Sequence, residues 1–342
     1  YRRQRQMCIR DRTNFVIRLL FLLIGIAVLG GLVWHIGTSQ IVETTKQLGF
    51  MSVCIILLPL LAVYLFETYG WQLTLGPWTK QVSFFRLFAV RMAGEAINAT
   101  TPTGMVGGEP MKAYLLKRYD VPMVDGLASL VTAKTAMVLA QVLFMLLGIC
   151  LMVIILGGSG YNVLAAGIGL AMLAFGLVML FMIQRHGIGI VLLNIFRKIR
   201  LPLRFLESRK AKLQELDNTI REFYQNRART FWFSVLVYFV SWALETFEVY
   251  AILYFLGMDI TLPSAFSIAA ISVLIKGAGF FIPGSLGAQE GGYLFLVMSF
   301  GYDEVTGITF ALIRRLREII WIVIGLLILA ALKEKTPLPA KS

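Results

Sequence analysis

Two stretches carry residue types out of keeping with the apolar chain around them. The first runs Asn98-Ala-Thr-Thr-Pro102-Thr-Gly104-Met-Val-Gly107-Gly108-Glu109-Pro110-Met-Lys112. The second runs Gly277-Ala-Gly279-Phe-Phe-Ile-Pro283-Gly284-Ser-Leu-Gly287-Ala-Gln-Glu290-Gly291-Gly292. In each, a glutamate follows the first proline by seven residues, Pro102 to Glu109 and Pro283 to Glu290, with glycines between. Proline cannot continue a helix from within, and glycine lets backbone turn or approach closely, so both stretches read as helix breaks. A broken helix exposes unpaired backbone N–H groups at its N-terminus, which attract anions. Arginine adds two-pronged recognition of phosphate, and a glutamate beside it recognises a cationic group or carries a proton. A cavity of both signs would suit a lipid headgroup, with phosphate on Arg314 and Arg317 and an amine or hydroxyls on Glu109 and Glu290.

The elements that must position these residues are membrane spans. The chain has 342 residues, 58% of them hydrophobic and only 15% charged, with a mean hydropathy of +0.77. A soluble domain carries closer to a quarter charged residues. Apolar runs at 14–34, 50–75, 123–156, 161–184, 231–257 and 305–332 are long enough to span the hydrocarbon core as helices. The alternation of a β-barrel is not seen. The expected fold is therefore all-α: a polytopic helical membrane protein with six full spans and two re-entrant segments, at 92–118 and 262–300. Residues 1–12 read as a non-native leader resembling sequencing-adaptor read-through, and 13–342 as one transmembrane domain. The first apolar run reads as an uncleaved span. Without residues 1–12 the net charge falls from +13 to +9.

That positive charge follows membrane topology and gives no reason to invoke nucleic acid. With the N-terminus in the cytoplasm, the loops at 76–91, 185–230 and 333–342 fall inside and are rich in lysine and arginine. The outer loops, at 35–49, 157–160, 258–263 and 301–304, contain Lys46 as their only lysine or arginine. The inner connector 185–230 holds eleven lysines and arginines against four acids. Within it Leu213, Leu216, Ile220 and Phe223 fall at helical spacing, which fits either an amphipathic helix lying on anionic lipid headgroups or a solvated connecting helix.

The two halves, about 50–156 and 231–332, match beyond the breaks. Glu67 precedes Glu109 by 42 residues, and Glu245 precedes Glu290 by 45. Lys134 follows Glu109 by 25, and Arg314 and Arg315 follow Glu290 by 24 and 25. Each half reads as a span with a glutamate, a broken segment with a glutamate, then a span with a cation. Under the topology above the halves run in opposite directions, the pattern of an inverted repeat whose broken helices meet near the midplane. Glu95 and Lys276 stand seven residues before Pro102 and Pro283, so they are candidates to pair across the pseudo-twofold axis.

Ionised side chains at membrane depth are costly unless paired or hydrated. Glu67, Glu109, Lys134, Glu245, Lys276, Glu290, Arg314, Arg317 and Glu318 therefore either glue helices together or line a wet path. Their clustering around the two breaks favours the path, with Glu67, Lys134, Glu245, Lys276 and Glu318 in support. Glu290 is the expected partner of Arg314, with Glu318 as a local alternative, while Glu248 and Arg315 read as pointing away from their neighbours, in a supporting role. Catalysis has little to stand on, since the two histidines, His35 and His186, are isolated and no Ser/His/Asp set is available. Cys8, Cys54 and Cys150 show no metal or redox spacing, so neither a metal nor a cofactor is expected.

The pattern Asn98-x-x-x-Pro102 … Gly107-Gly108-Glu109-Pro-x-Lys112 resembles the flippase-like family of the lysylphosphatidylglycerol synthase transmembrane domain. So do Pro283-Gly284-x-x-Gly287-x-x-Glu290 and the run Arg314-Arg-x-Arg317-Glu318. Gln289-Glu-Gly-Gly292 and the arginine run are similar to the branch associated with hopanoid biosynthesis. The resemblance covers nearly all of 14–332. It implies an integral inner-membrane protein that moves a phospholipid or a hopanoid-type lipid across or between membranes, with lipid-synthesis enzymes as candidate partners. In the synthase a soluble aminoacyl-transferase domain follows the membrane part. This chain shows none within its 342 residues, so the expectation is a carrier, not an aminoacylating enzyme. The competing classes are a membrane-embedded enzyme acting on a lipid headgroup, with Glu109 or Glu290 as base, and a scaffold for lipid-synthesis enzymes.

Overall fold

The computed structural model describes residues 49–100, 107–157, 210–278 and 287–334. The expected spans at 14–34 and 161–184, the leader, and Pro102, Gly104, Pro283 and Gly284 lie outside these residues. No strand occurs among the described residues. In chain order the helices are α1 (Gly49–Thr74), α2 (Phe84–Thr100), α3 (Gly108–Leu116), α4 (Met123–Leu156), α5 (Lys210–Asn226), α6 (Ala228–Phe255), α7 (Leu262–Ala278), α8 (Ala288–Ser299) and α9 (Glu304–Glu334).

Three of these are long and apolar enough to cross a membrane: Ile55–Thr74 within α1, all of α4 and all of α6. At 31 residues α9 is also long enough, about 46 Å at the helical rise. Its middle, however, carries Arg314, Arg315, Arg317 and Glu318.

Local sequence explains the starts and stops. Pro122 precedes α4 in an extended conformation, and Asp125 stands in its first turn, where a carboxylate suits the helix dipole. Gly157 ends α4 with φ +76°, a conformation that disfavours other residues. Asp303 accepts the Thr306 N–H at 2.8 Å and caps α9.

The first broken segment begins earlier than expected. Residues 76–91 do not form a loop throughout, because α2 is already helical from Phe84. Leu87, Val90 and Ala93 recur at helical spacing and are fully buried, and this apolar stripe draws Arg91 into the helix.

α1 and α6 form the spine. Ser234 and Ser241 of α6 donate to the carbonyls of Gly70 and Val63 at 2.9 and 3.2 Å. Gly70 faces the Tyr238 ring, where an added Cβ would lie 2.8 Å from ring carbons. Small residues at contacts of this kind let helices pack closely where no hydrophobic effect separates protein from lipid. α4 packs along α7, and α9 packs along α2. One apolar core gathers α4 and α6 to α9, and a second gathers α1 to α4 with α6.

α5 is the amphipathic helix expected in the connector. Its apolar stripe faces protein: Leu216 and Ile220 are buried against Ala128 and its neighbours Val124, Leu127 and Val131 of α4. Docking covers this stripe better than headgroups would, and leaves Glu215, Arg221 and Glu222 exposed.

Candidate functional site

In each segment two described helices pack on each other, α2 on α3 and α7 on α8. In the first, Asn98 turns its Oδ1 to the N–H of Gly108 at 2.7 Å, satisfying a donor at the start of α3. Gly108 is obligatory here, since an added Cβ would lie 2.6 Å from that same oxygen. In the second, Glu290 accepts the N–H of Gly287 at 2.7 Å and closes the start of α8 on itself. Asn98 and Gly108, both in the first stretch singled out in the sequence, thus fasten the hairpin, with Gly107 only half-buried beside them.

The first charged cluster lies under this hairpin. Lys112 is buried, and its Nζ reaches Glu95 at 2.7 Å and Glu109 at 3.0 Å. Glu67 of α1 pairs with Arg91 of α2, both buried. Lys134 of α4 is exposed and forms no ion pair among the described residues. Arg91, Glu95, Glu109, Lys112 and Lys134, together with Trp71 and Tyr238, line a cavity of about 30 Å³, room for a water or two.

The second cluster joins α6, α7, α8 and α9. Glu290 pairs with Arg315 at 2.5 Å, and Arg315 also reaches Glu318 at 3.0 Å. Glu318 takes Lys276 at 2.9 Å, and Gln289 bridges to Glu318 at 3.3 Å. Arg314 meets Glu245 at 3.3 Å and Glu248 at 3.6 Å, and its guanidinium lies 4.9 Å from the Tyr293 ring centre. Arg317 pairs with Glu248, which is fully buried.

Several expectations change here. Glu290 does not meet Arg314; it meets Arg315. Successive helix positions are turned about 100° apart, so Arg315 faces α8 while Arg314 faces α6. Glu248 and Arg315 do not point away from their neighbours; each is ion-paired within the network. Glu95 and Lys276 do not pair across the halves, because Lys112 and Glu318 are nearer partners. Arg314 and Arg317 are already paired with carboxylates, so a phosphate would have to displace them.

Sequence reasoning missed Arg91, placed in a loop. The signal was present in its spacing: Arg91 and Glu95 stand one turn apart within the buried stripe of α2. Tyr64 was missed as well. Arg91 lies 5.2 Å from its ring centre, and Trp321 of α9 packs edge-on to it at 5.0 Å. The ring therefore stands between the first cluster and the helix that carries the second.

Among the described residues several buried polar atoms have no hydrogen-bond partner, among them Arg91 Nη1, Arg314 Nη1 and Arg317 Nε. A buried guanidinium left part-satisfied is costly, so the network is one that water or a ligand would complete. No group of three or more histidine, cysteine or acidic residues that could hold a metal occurs among the described residues.

The sequence is similar to two membrane proteins of archaea. One, "UPF0104 membrane protein" of Methanothermobacter thermautotrophicus, is 26% identical over 301 residues, covering 84% of this chain and 86% of that protein. The other, "UPF0104 membrane protein PH1989" of Pyrococcus horikoshii, is 22% identical over 315 residues, covering 87% and 91%. Residues 16–326 match the family described as the lysylphosphatidylglycerol synthase TM region. With apolar helices of membrane-spanning length and that match over most of its length, the chain is a membrane protein and belongs to the lysylphosphatidylglycerol synthase transmembrane-region family.

Proposed function

We propose that this protein is a lipid carrier that moves a charged-headgroup lipid between leaflets or membranes, without chemical change, from the cell inner membrane. The observation that carries the reading is the pair of helix hairpins, each holding a buried ion-paired cluster between long apolar helices. Such charges at membrane depth belong to bundle interiors and wet paths. A phospholipid fits the mixed charge, and a hopanoid-type lipid with a polar head fits the branch that the sequence resembles.

An inverted repeat is part of this proposal. Two contacts support it. Gly148 of α4 faces Ala270 of α7, and Gly325 of α9 faces the Met92 carbonyl of α2. The two glycines are 177 residues apart, and their partners Met92 and Ala270 are 178 apart. The same small-residue contact is thus made twice, each time between the long helix of one half and the hairpin of the other. In carriers built this way, rocking of one unit against the other alternates access to a midplane site.

The test is reconstitution of the purified chain in vesicles holding a labelled phospholipid. Leaflet exchange with the lipid chemically intact supports the carrier. A new lipid species supports a headgroup enzyme instead, and neither outcome leaves a scaffold for lipid-synthesis enzymes. Anionic headgroups remain proposed partners of the connector 185–230, which holds eleven lysines and arginines against four acids.

A further inference from the structure

The cavity under the first hairpin goes further than the carrier reading on which it rests. Two of its positive residues carry donor atoms that make no hydrogen bond among the described residues. Lys134 is exposed at the wall and forms no ion pair there. Arg91 is 7% exposed, and its Nη1 has no hydrogen-bond partner. Opposite them, Glu95 and Glu109 each give one oxygen to Lys112, yet their side chains remain 36% and 24% exposed. Trp71 and Tyr238 supply aromatic walls.

The formal charges balance. Counting Glu67, which is not part of the lining but holds Arg91 in a buried ion pair, Arg91, Lys112 and Lys134 stand against Glu67, Glu95 and Glu109. A ligand of net charge would leave an uncompensated charge in a low-dielectric site, which is strongly unfavourable. A ligand with one anionic and one cationic group stays neutral overall and meets both kinds of unmatched atom. We propose that this cavity takes a zwitterionic phosphate–amine headgroup, its phosphate on Arg91 and Lys134 and its ammonium on Glu95 and Glu109. At about 30 Å³ the cavity admits water only. The headgroup is admitted when the α2–α3 hairpin swings from α4 and α6.

The experiment measures thermal stabilisation of the purified full chain by three added lipids: phosphatidylethanolamine (neutral), phosphatidylglycerol (anionic) and lysylphosphatidylglycerol (cationic). The wild type is expected to favour phosphatidylethanolamine. Lys134→Gln gives the cavity a net negative charge, so the preference passes to lysylphosphatidylglycerol and phosphatidylethanolamine binds about tenfold or more weaker, the size of one charge-assisted hydrogen bond. Glu109→Gln gives it a net positive charge and passes the preference to phosphatidylglycerol, with Lys112 still held by Glu95. Should Glu109→Gln fail to fold, Lys134→Gln decides alone, since its side chain is exposed. A wild type that prefers either charged lipid overturns the inference, as do variants that keep the wild-type order. Either result leaves the carrier reading standing, whereas wild-type vesicles in which no phospholipid exchanges overturn the carrier reading itself.

Discussion

Arg317→Met tests whether the second cluster is held by its charges. Glu248 is fully buried, and Arg317 is its close partner. After the substitution its remaining ion contact among the described residues is Arg314 Nε at 3.6 Å, beyond hydrogen-bond reach. Breaking a buried pair by removing one member costs about 3–5 kcal/mol, because the other charge stays buried. Glu248→Leu strands the guanidiniums instead, leaving Arg314 with Glu245 at 3.3 Å and Arg317 with Glu318 at 3.9 Å, so its cost falls at the lower end of that range. Replacing both partners removes the stranded charge, and the double variant should recover at least half the loss of Arg317→Met. The coupling between the two sites, the sum of the single losses less that of the double variant, should be about 4 kcal/mol or more. The assay is reversible unfolding of the purified protein in mixed micelles, read by helical circular dichroism as denaturing detergent is added. Single variants within about 0.5 kcal/mol of wild type would refute the reasoning, since that is the range of substitutions remote from any special contact. The cluster would then be a hydrated one whose pairing holds nothing together.

Further outcomes follow from the packing. Gly325→Leu puts a Cβ 2.6 Å from the Met92 carbonyl and should destabilise by about 1–3 kcal/mol in the same assay. Asn98→Ala strands the buried N–H of Gly108 and should cost about 1–3 kcal/mol, with earlier proteolysis at the hairpin. Leu216→Asp with Ile220→Asp should free α5 from α4, seen as faster amide exchange across 210–226, while the ion-paired clusters are unaffected.

The apolar spans were legible because α1, α4 and α6 are long runs with few charges, and length and hydropathy suffice for them. The two breaks expected from proline and glycine fall at 101–106 and 279–286, outside the described residues. The pairing was not legible. Arg314 and Arg315 are adjacent in sequence, and only the rotation of α9 against α6 and α8 decides which glutamate each one meets. Arg91 was hidden for a related reason. A lone arginine at the edge of a polar stretch reads as a loop charge until the stripe of Leu87, Val90 and Ala93 is seen to bury its helix. The Asn98 contact was not legible, because a side chain that accepts from a helix start ten residues on leaves no mark in composition.

The central claim is that the ion-paired hairpins form the route of a lipid headgroup. The measurement that tests it most directly is the leaflet-exchange rate of a labelled phospholipid in vesicles carrying wild type, Glu109→Gln or Glu290→Gln at matched protein density. Glu290 holds Arg315 at 2.5 Å, and Glu109 holds Lys112 at 3.0 Å. Each variant is predicted to stay folded and to slow exchange about tenfold or more, the loss of one charge-assisted contact. Wild-type exchange rates in both variants would contradict the claim and return these carboxylates to the role of interhelical glue.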